Sequence, residues 1–510
     1  MASEIYSLSM AFFAVVVVLT MQTASTNSEK MTAYKPKYST KTGYDLAFDS
    51  NNILRRHLPW KELFNQTVSD LQTCTPAGIY AVYRHGSRYP NMKDIGNFSL
   101  LLKRVKENRV NPEYDVLQNG KEMPMELQTM LSNSGEKELK DLGLRLTNRF
   151  AELFPSGFQL SEFAFQSTHV SRVTNSTLSF IKGLINDDNI SATVSSAQTG
   201  VQTESKLIVS RQLSISKESV NVTLYNKSAD NLLRFFDVFE ECLNQTNEEE
   251  KKFLEKSDEV GAMQHRLIEK LSVPGSKEKF NLSRDDAVNI AKLCGYELAL
   301  FNYSHWCTLL SDEDLSVFEY KLDLKHYWNR SYGHPVNYCV GCNLVQDIIN
   351  YFDQVTSNRI DARKGVFKFA HAETIIPLES LLNLYKDTKP LTASTYQENQ
   401  NRQFRTSWMA PFAANVAFVL FECPSNGDLP VNKVEVLINE LPVQLPFCQG
   451  GLSCELRDFA KHVKTLIETC NVNNTCKENC SSESCVSFEC NAWTTFCLTV
   501  VSIIISVWIP

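Results

Sequence analysis

Three short apolar runs in this chain each stop abruptly on polar residues. Ile79 to Tyr83 runs into Arg84, Phe163 to Gln166 into Ser167, Thr168 and Arg172, and Val366 to Ala370 into His371. Brief runs rich in Val, Ile, Phe and Tyr with polar punctuation read as buried strands. Helical patterns follow them. After Arg172, residues Val173, Thr177, Phe180 and Leu184 recur at helical spacing. After His371, the segment from Thr374 through PLESLLNLYK has Pro377 early, where a missing N–H costs little. Asn415 to Phe421 and Val434 to Asn439 are further strand candidates. Strands alternating with helices predict an α/β fold, a mainly parallel sheet flanked by helices, with ligands bound outside the carboxyl ends of the strands. The polar strand ends are therefore candidates for one shared site.

Between residues 189 and 358 the pattern changes to long helical stretches, among them NLLRFFDVFEECL, DDAVNIAKLCGYELALF and LSVFEYKLDLKHYW. This predicts an inserted helical lobe over 189–358, separating the two parts, 43–188 and 359–465, of the α/β domain. A chain of 510 residues exceeds what one hydrophobic core organises, so two lobes are expected. The formal net charge of −7 argues against nucleic acid as a general partner. Any anionic ligand must be held by a local cluster of basic residues.

The ends carry addresses. Ala11 to Met21, AFFAVVVVLTM, followed by small and polar residues, reads as a signal peptide over residues 1–25. Sequons beginning at Asn65, Asn97, Asn175, Asn189 and at further asparagines fit a glycoprotein of the secretory pathway. There the 15 cysteines should mostly pair. Residues 470–490 form a Cys- and Ser-rich spacer, and residues 491–510 an uncharged apolar tail, the pattern of a glycosylphosphatidylinositol (GPI) attachment signal. A cut after one of Ser481 to Ser484 leaves twelve cysteines and a cut after Cys490 leaves fourteen, both even. A plain C-terminal membrane helix is the alternative. The expected location is the extracellular face of the plasma membrane, with secretion or the endoplasmic reticulum lumen as alternatives.

YAVYRHGSRYP, Tyr80 to Pro90, holds the densest chemistry. A phosphoryl group presents several anionic oxygens, and guanidinium forks match them two bonds at a time. Arg84 and Arg88 lie four apart around a glycine that permits a sharp turn, which brings His85 to the same oxygens. An imidazole so placed can attack phosphorus and carry the group covalently. Alone, Arg-His-Gly fits a surface turn equally well.

The longer context decides. RHGSRYP behind an apolar strand resembles the signature of the histidine acid phosphatases. LSNSGEKELKDLGLRLTNRF, QSTHVSRVTNST and FAHAET are similar to further segments of that family. His-Ala-Glu in place of His-Asp, with LLRFFDVFEEC and YGHPVNYCVGCNLVQDI in the lobe, is the form found in multiple inositol polyphosphate phosphatases. The resemblance covers about Gly43 to Val463 and implies a phosphoglycerate-mutase-like fold. It implies a phosphomonoesterase acting on inositol polyphosphates, the hexakisphosphate (phytate) included, and on the 3-phosphate of 2,3-bisphosphoglycerate. His85 would be the nucleophile, Arg84, Arg88, Arg172 and His371 the phosphoryl ligands, and Glu373 the general acid, with a pKa raised among anionic phosphates. No metal or cofactor is implied.

Blander roles compete. His371 and Glu373 at a helix start could be caps, Arg172 could pair with a carboxylate, and Ser87 could meet phosphate or simply fit a turn. Cys339 and Cys342 are expected in two separate structural disulfides, and Lys325 and His326 as solvated helix residues rather than contacts to distal phosphates. At the level of the whole chain the alternatives are a broad-specificity histidine acid phosphatase and a phosphate-binding surface protein without turnover.

Overall fold

Strand β1 (Thr75–Arg84) shows why the apolar runs are so short and so uniformly apolar: it is buried on both faces. Ile79, Ala81 and Tyr83 face one core, while Tyr80 and Val82 face another. The computed structural model describes residues 37–48, 56, 71–155, 159–199, 202–212, 217–227, 229–243, 247–357, 359, 362–425, 430–448 and 451–470. The expected signal peptide, the spacer beyond Cys470 and the apolar tail lie outside the described residues.

After β1 come α1 (Met92–Glu107), α2 (Asn133–Arg149), β2 (Phe163–Thr168) and α3 (Ser171–Ile185). Strands β3 (Ile190–Thr199), β4 (Gln202–Gln212) and β5 (Lys217–Tyr225) follow. The helical lobe holds α4 (Glu248–Lys256), α5 (Asp258–Leu271), α6 (Arg284–Phe301), α7 (Asp312–Arg330) and α8 (Cys342–Thr356). The chain then returns through β6 (Gly365–Ala370), α9 (Ala372–Leu381), β7 (Asn415–Cys423), β8 (Val431–Ile438), β9 (Leu441–Val443), β10 (Ser453–Glu455) and α10 (Leu456–Thr469).

The described strands form one mixed sheet in the order β10-β8-β7-β1-β6-β2-β5-β4-β3, with β9 on β8. Its centre is parallel, β1 to β6, β6 to β2 and β2 to β5, and both wings are antiparallel. Register sets the site. Arg84 lies beside Ala370 and Phe369 beside Ser167, so β1, β6 and β2 end level with one another.

The lobe boundary expected at residue 189 is corrected. Ile190–Thr199, Gln202–Gln212 and Lys217–Tyr225 are three strands that widen the sheet, because ISATVSSAQT and its neighbours alternate polar and apolar at a period of two. Nor is the lobe a separate body with its own core. Tyr80 and Val82 of β1 share one cluster with Tyr296 and Phe318 of the lobe, and Ile79 N–H donates to Tyr351 Oη of α8 at 3.1 Å.

Disulfides join Cys74 to Cys423, Cys294 to Cys307, Cys342 to Cys470 and Cys448 to Cys454, and Cys242 is also disulfide-bonded. The expectation for Cys339 fails: it is a buried free thiol whose Sγ lies 3.0 Å from that of Cys470, already paired with Cys342. Among the described residues no helix is long and apolar enough to cross a membrane.

Helices α2 and α3 cover the face of the sheet behind the site and touch backbone to backbone. A Cβ on Gly143 would lie 2.2 Å from Phe180 O, and one on Gly183 1.9 Å from Lys140 O. Gly183→Ala must push the helices apart, so it should lower the unfolding free energy by at least about 1–3 kcal/mol. Urea titration of the two proteins checks this; an unchanged midpoint would contradict the crossing.

Candidate active site

The chain leaves β1 through Arg84, His85, Gly86, Ser87 and Arg88. His85 N–H donates to Ala370 O at 3.2 Å and its carbonyl accepts from Ala413 N–H at 3.0 Å, which pins the turn to both neighbouring strands. The turn passes hard against the first turn of α2, where a Cβ on Gly86 would lie 2.3 Å from Gly135 O. Only glycine fits there. Gly86 N–H donates to Ser176 Oγ of α3 at 3.1 Å. Ser87 turns away from the site, its N–H and Oγ–H donating to Glu138 at 2.7 and 2.8 Å, so it fits the turn.

The three arginines are each held in a way that leaves donors free. Arg84, almost fully buried, donates from Nη1 to Thr40 O and Ala410 O, both at 2.8 Å, with its guanidinium 4.5 Å from the centre of the Phe412 ring. Arg88 donates to Tyr89 O at 2.7 Å. Arg172, on the first turn of α3, makes no ion pair with a carboxylate among the described residues, so the salt-bridge alternative fails. The Nε–H groups of all three are buried without a partner. Buried donors left unsatisfied are costly, and an anion would satisfy them. Burial, opposed by Glu373 and aided by Arg88, presses Arg84 down to about 9, and burial with Arg88 presses Arg172 down to about 10.

His85 is the centre of this field. Its Nδ1 lies 2.9 Å from Gly86 O. A carbonyl only accepts, so the proton sits on Nδ1 and Nε2 keeps its lone pair. Burial, then Arg84, Arg172 and Arg88, hold its pKa well below that of a free imidazole, so the ring is neutral. His371, at the end of β6, lies with its ring centre 5.8 Å away. It precedes α9 and makes no side-chain cap, so the capping alternative fails for it. Burial and Arg172 depress its pKa too, against the pull of Glu373.

Glu373, on the first turn of α9, departs from expectation. Burial pushes its carboxyl up, but the Arg330 guanidinium, helped by the Glu373 backbone N–H, outweighs burial and holds it well below the usual carboxylate range. The empty site surrounds it with cations rather than phosphates. It is therefore ionised until an anion arrives.

Arg84, His85, Arg88, Arg172 and Glu373 share a cavity of about 690 Å³ between the sheet edge and the lobe. Lys41, Lys93, Lys292, Lys321, Lys325 and His326 line it as well. Lys325 and His326 are thus on the cavity wall, contrary to the reading as plain solvated helix residues. Lys292 is spoken for by Asp94 at 2.9 Å and Lys321 by Glu250 at 2.6 Å. Lys41, Lys93 and Lys325 have no carboxylate partner among the described residues. Lys41, in a short turn between Tyr38 and Thr42, was not legible in the sequence, because no periodicity marks it. Arg234 was also missed, hidden in an apolar pattern; its Nη1 reaches His371 Nε2 at 3.0 Å. Among the described residues no group of three or more His, Cys, Asp or Glu could hold a metal ion.

Comparison with known proteins agrees with this geometry. The family model described as "Histidine phosphatase superfamily (branch 2)" matches residues 78–439. The human protein named multiple inositol polyphosphate phosphatase 1 is 27% identical over 465 residues, 87% of this chain and 89% of its own. Its Gallus gallus namesake is 28% identical over 418 residues, 79% of this chain and 85% of its own. Among solved structures, the phytase from D. castellii has a TM-score of 0.64 at 17% identity, covering 79% of this chain and 82% of its own, and has the same fold. So has a Bifidobacterium longum multiple inositol polyphosphate phosphatase in complex with phosphate, with a TM-score of 0.61 at 17% identity, covering 85% of this chain and 98% of its own.

The carboxyl of Glu138, which holds the turn after β1, makes stability depend on pH. Burial raises Glu138 from 4.5 to about 7, and burial also raises Asp230 and Asp323 from 3.8 to about 6. The folded state then binds protons more tightly than the unfolded chain, so this stabilisation is full below about pH 4 and is lost as pH rises through about 6 to 7. The buried neutral imidazoles of His85, His326 and His371 pull the other way, because the unfolded chain sheds their protons as pH rises past 6.5, so the Glu138 contribution is read as a difference between two proteins. The stability of the wild type relative to Glu138→Gln should fall as pH rises from 5 to 8; a difference that stays constant would reassign it.

Proposed function

Because the chain belongs to branch 2 of the histidine phosphatase superfamily, we propose that it is a phosphomonoesterase that hydrolyses inositol polyphosphates, the hexakisphosphate included, through a phosphohistidine. One observation carries the reading: a neutral His85 with a free Nε2 lone pair stands among three guanidiniums whose buried Nε–H groups lack partners. The names of the relatives point to inositol polyphosphates. The lysines that line the cavity beyond the three arginines, Lys41, Lys93 and Lys325, suit a substrate with several phosphates.

In the first step Nε2 of His85 attacks phosphorus and the bond from phosphorus to the inositol oxygen breaks. Arg84, Arg88, Arg172 and His371 hold the oxygens on which charge collects. Glu373 gives its proton to the departing alkoxide. In the second step the Glu373 carboxylate takes a proton from water, the water oxygen attacks phosphorus, and phosphate leaves with the imidazole restored. The ionised Glu373 of the empty site fits this sequence if its proton enters with the substrate. A polyphosphate cancels the field of Arg330, and its monoanionic groups are themselves a proton source.

The 3-phosphate of 2,3-bisphosphoglycerate is a second proposed substrate. The disulfides support an oxidising compartment by the ordinary distribution of such bonds, and we propose the secretory route with a GPI anchor at the cell surface. Release of the protein from cells by a phosphatidylinositol-specific phospholipase tests the anchor.

Acid quench of the enzyme with labelled hexakisphosphate should trap label on the wild type and none on His85→Ala. Equal label on both, or none on either, would sink the covalent route. Glu373→Gln should lower turnover by roughly 10²–10⁴-fold while the labelled intermediate still forms. Lys41→Met should raise KM for the hexakisphosphate more than for a simple aryl phosphate; equal effects would favour a broad-specificity acid phosphatase.

A further inference from the structure

His371 has a partner whose role the phosphoryl ligands leave open. Arg234 Nη1 lies 3.0 Å from His371 Nε2, and Thr168 Oγ1 lies 3.1 Å from the same nitrogen. On the other side of the ring, Arg172 Nη2 lies 3.5 Å from Nδ1. A guanidinium has donors only, so it can approach a ring nitrogen closely only where that nitrogen is unprotonated. A neutral imidazole has one such nitrogen, and the two arginines compete for it. The distances decide: 3.0 Å is an ordinary hydrogen bond and 3.5 Å is its outer limit. Nε2 is therefore the acceptor, and the proton is on Nδ1.

Arg234 is held for this contact. Its Nη2 pairs with Asp237 Oδ2 at 2.5 Å, and Asp237 Oδ1 is paired with Lys227 at 3.0 Å. Its own backbone N–H donates to Asp230 O at 3.0 Å, while Leu233 N–H donates to Asp230 Oδ1 at 2.8 Å. Thr374 Oγ1–H donates to Leu233 O at 2.8 Å, tying this segment to the start of α9, directly after His371. Phe236 closes the remaining side, edge-on to the imidazole at 5.9 Å.

We propose that Arg234 is a positioning residue that fixes the tautomer of His371, so that Nδ1–H, beside the donors of Arg172, is presented to an oxygen of the transferring phosphoryl group. Two donors facing each other at 3.5 Å do not bond to one another; an anionic oxygen lodged between them would accept from both. Without Arg234 the ring can place its proton on Nε2 and donate to Thr168 Oγ1. Nδ1 would then turn a lone pair toward the phosphoryl oxygen, replacing attraction with repulsion where charge develops. Burial and Arg172 keep the imidazole neutral, which is the form in which the choice of tautomer matters. The role in catalysis rests on the phosphatase reading, whereas the tautomer is a property of the empty protein.

Long-range proton–nitrogen correlation spectra of the histidine-labelled empty protein read the tautomer directly, with the His371 signals identified by their loss in His371→Gln. The wild type should show the Nδ1–H form. Arg234→Met should move His371 toward Nε2–H and lower kcat by roughly 10²-fold, the scale of losing one donor to a developing charge, with a smaller change in KM. Arg234→Lys keeps a donor and should retain the Nδ1–H form and recover most of kcat. An Nε2–H form in the wild type overturns the proposal without any variant, and so does an Nδ1–H form that persists in Arg234→Met. Acid-quench trapping on His85 separates the two assignments: no trapped phosphate alongside an Nδ1–H ring sinks the phosphatase reading and not the tautomer.

Discussion

Like charge held together out of water is the condition on which the rest of this structure depends. Arg84 is almost wholly buried and has Arg88 and Arg172 as neighbours, so burial and mutual repulsion both work against it. The two carbonyls that hold its Nη1, from Thr40 and Ala410, come from segments with little regular structure. Both segments are fastened by a buried network on α7. Asp323 Oδ1 accepts from Thr406 N–H at 2.9 Å and from its hydroxyl at 2.7 Å, and that hydroxyl is 2.6 Å from Ser39 Oγ. Arg402 and Arg405 close the network on Glu319, which also takes the hydroxyl of Ser407. The lobe thus does more than wall the cavity. Through Asp323 it holds the backbone that makes a buried arginine tolerable.

The parts of the site that could be read from the chain are those in which chemistry and strand end are adjacent in sequence. Arg84, His85 and Arg88 leave β1 together, His371 and Glu373 leave β6 together, and parallel register brings the two ends level. The parts that were hidden lack that adjacency. Lys41 sits in an isolated turn near the start of the described chain, and Arg234 in a segment whose apolar residues pattern as a helix that is in fact two short turns. Residues 190–225 were misplaced for a related reason. Their sequences interleave polar with apolar residues, so they lack the apolar runs that announce β1, β2 and β6.

Electrostatics was the least legible layer, because a pKa is set by neighbours distant in sequence. Glu373 shows this best. From its motif alone it is an acid among phosphates; in the folded chain Arg330 of α7 makes it a carboxylate first. Cys339 and Cys342 show the same limit in another form, since which of them meets Cys470 depends on how α10 packs against α8.

One field therefore does several things at once. Burial and the guanidiniums that would bind the phosphoryl group depress His85, which leaves it a neutral imidazole with its lone pair free, as the proposed nucleophile requires. The same surroundings keep His371 a neutral ring, able to present a single directed donor rather than an indiscriminate charge. The cost falls on Glu373, which the cations around it leave without the proton an acid needs. Only an anion can reverse that, and it must carry enough charge to offset Arg330 as well as Arg84, Arg88 and Arg172. In the proposed mechanism acid catalysis is thereby coupled to occupancy: a densely phosphorylated substrate would raise the pKa of the Glu373 carboxyl, and a sparsely charged one would do so less. On this argument the preference for polyphosphates is exercised in turnover as well as in binding.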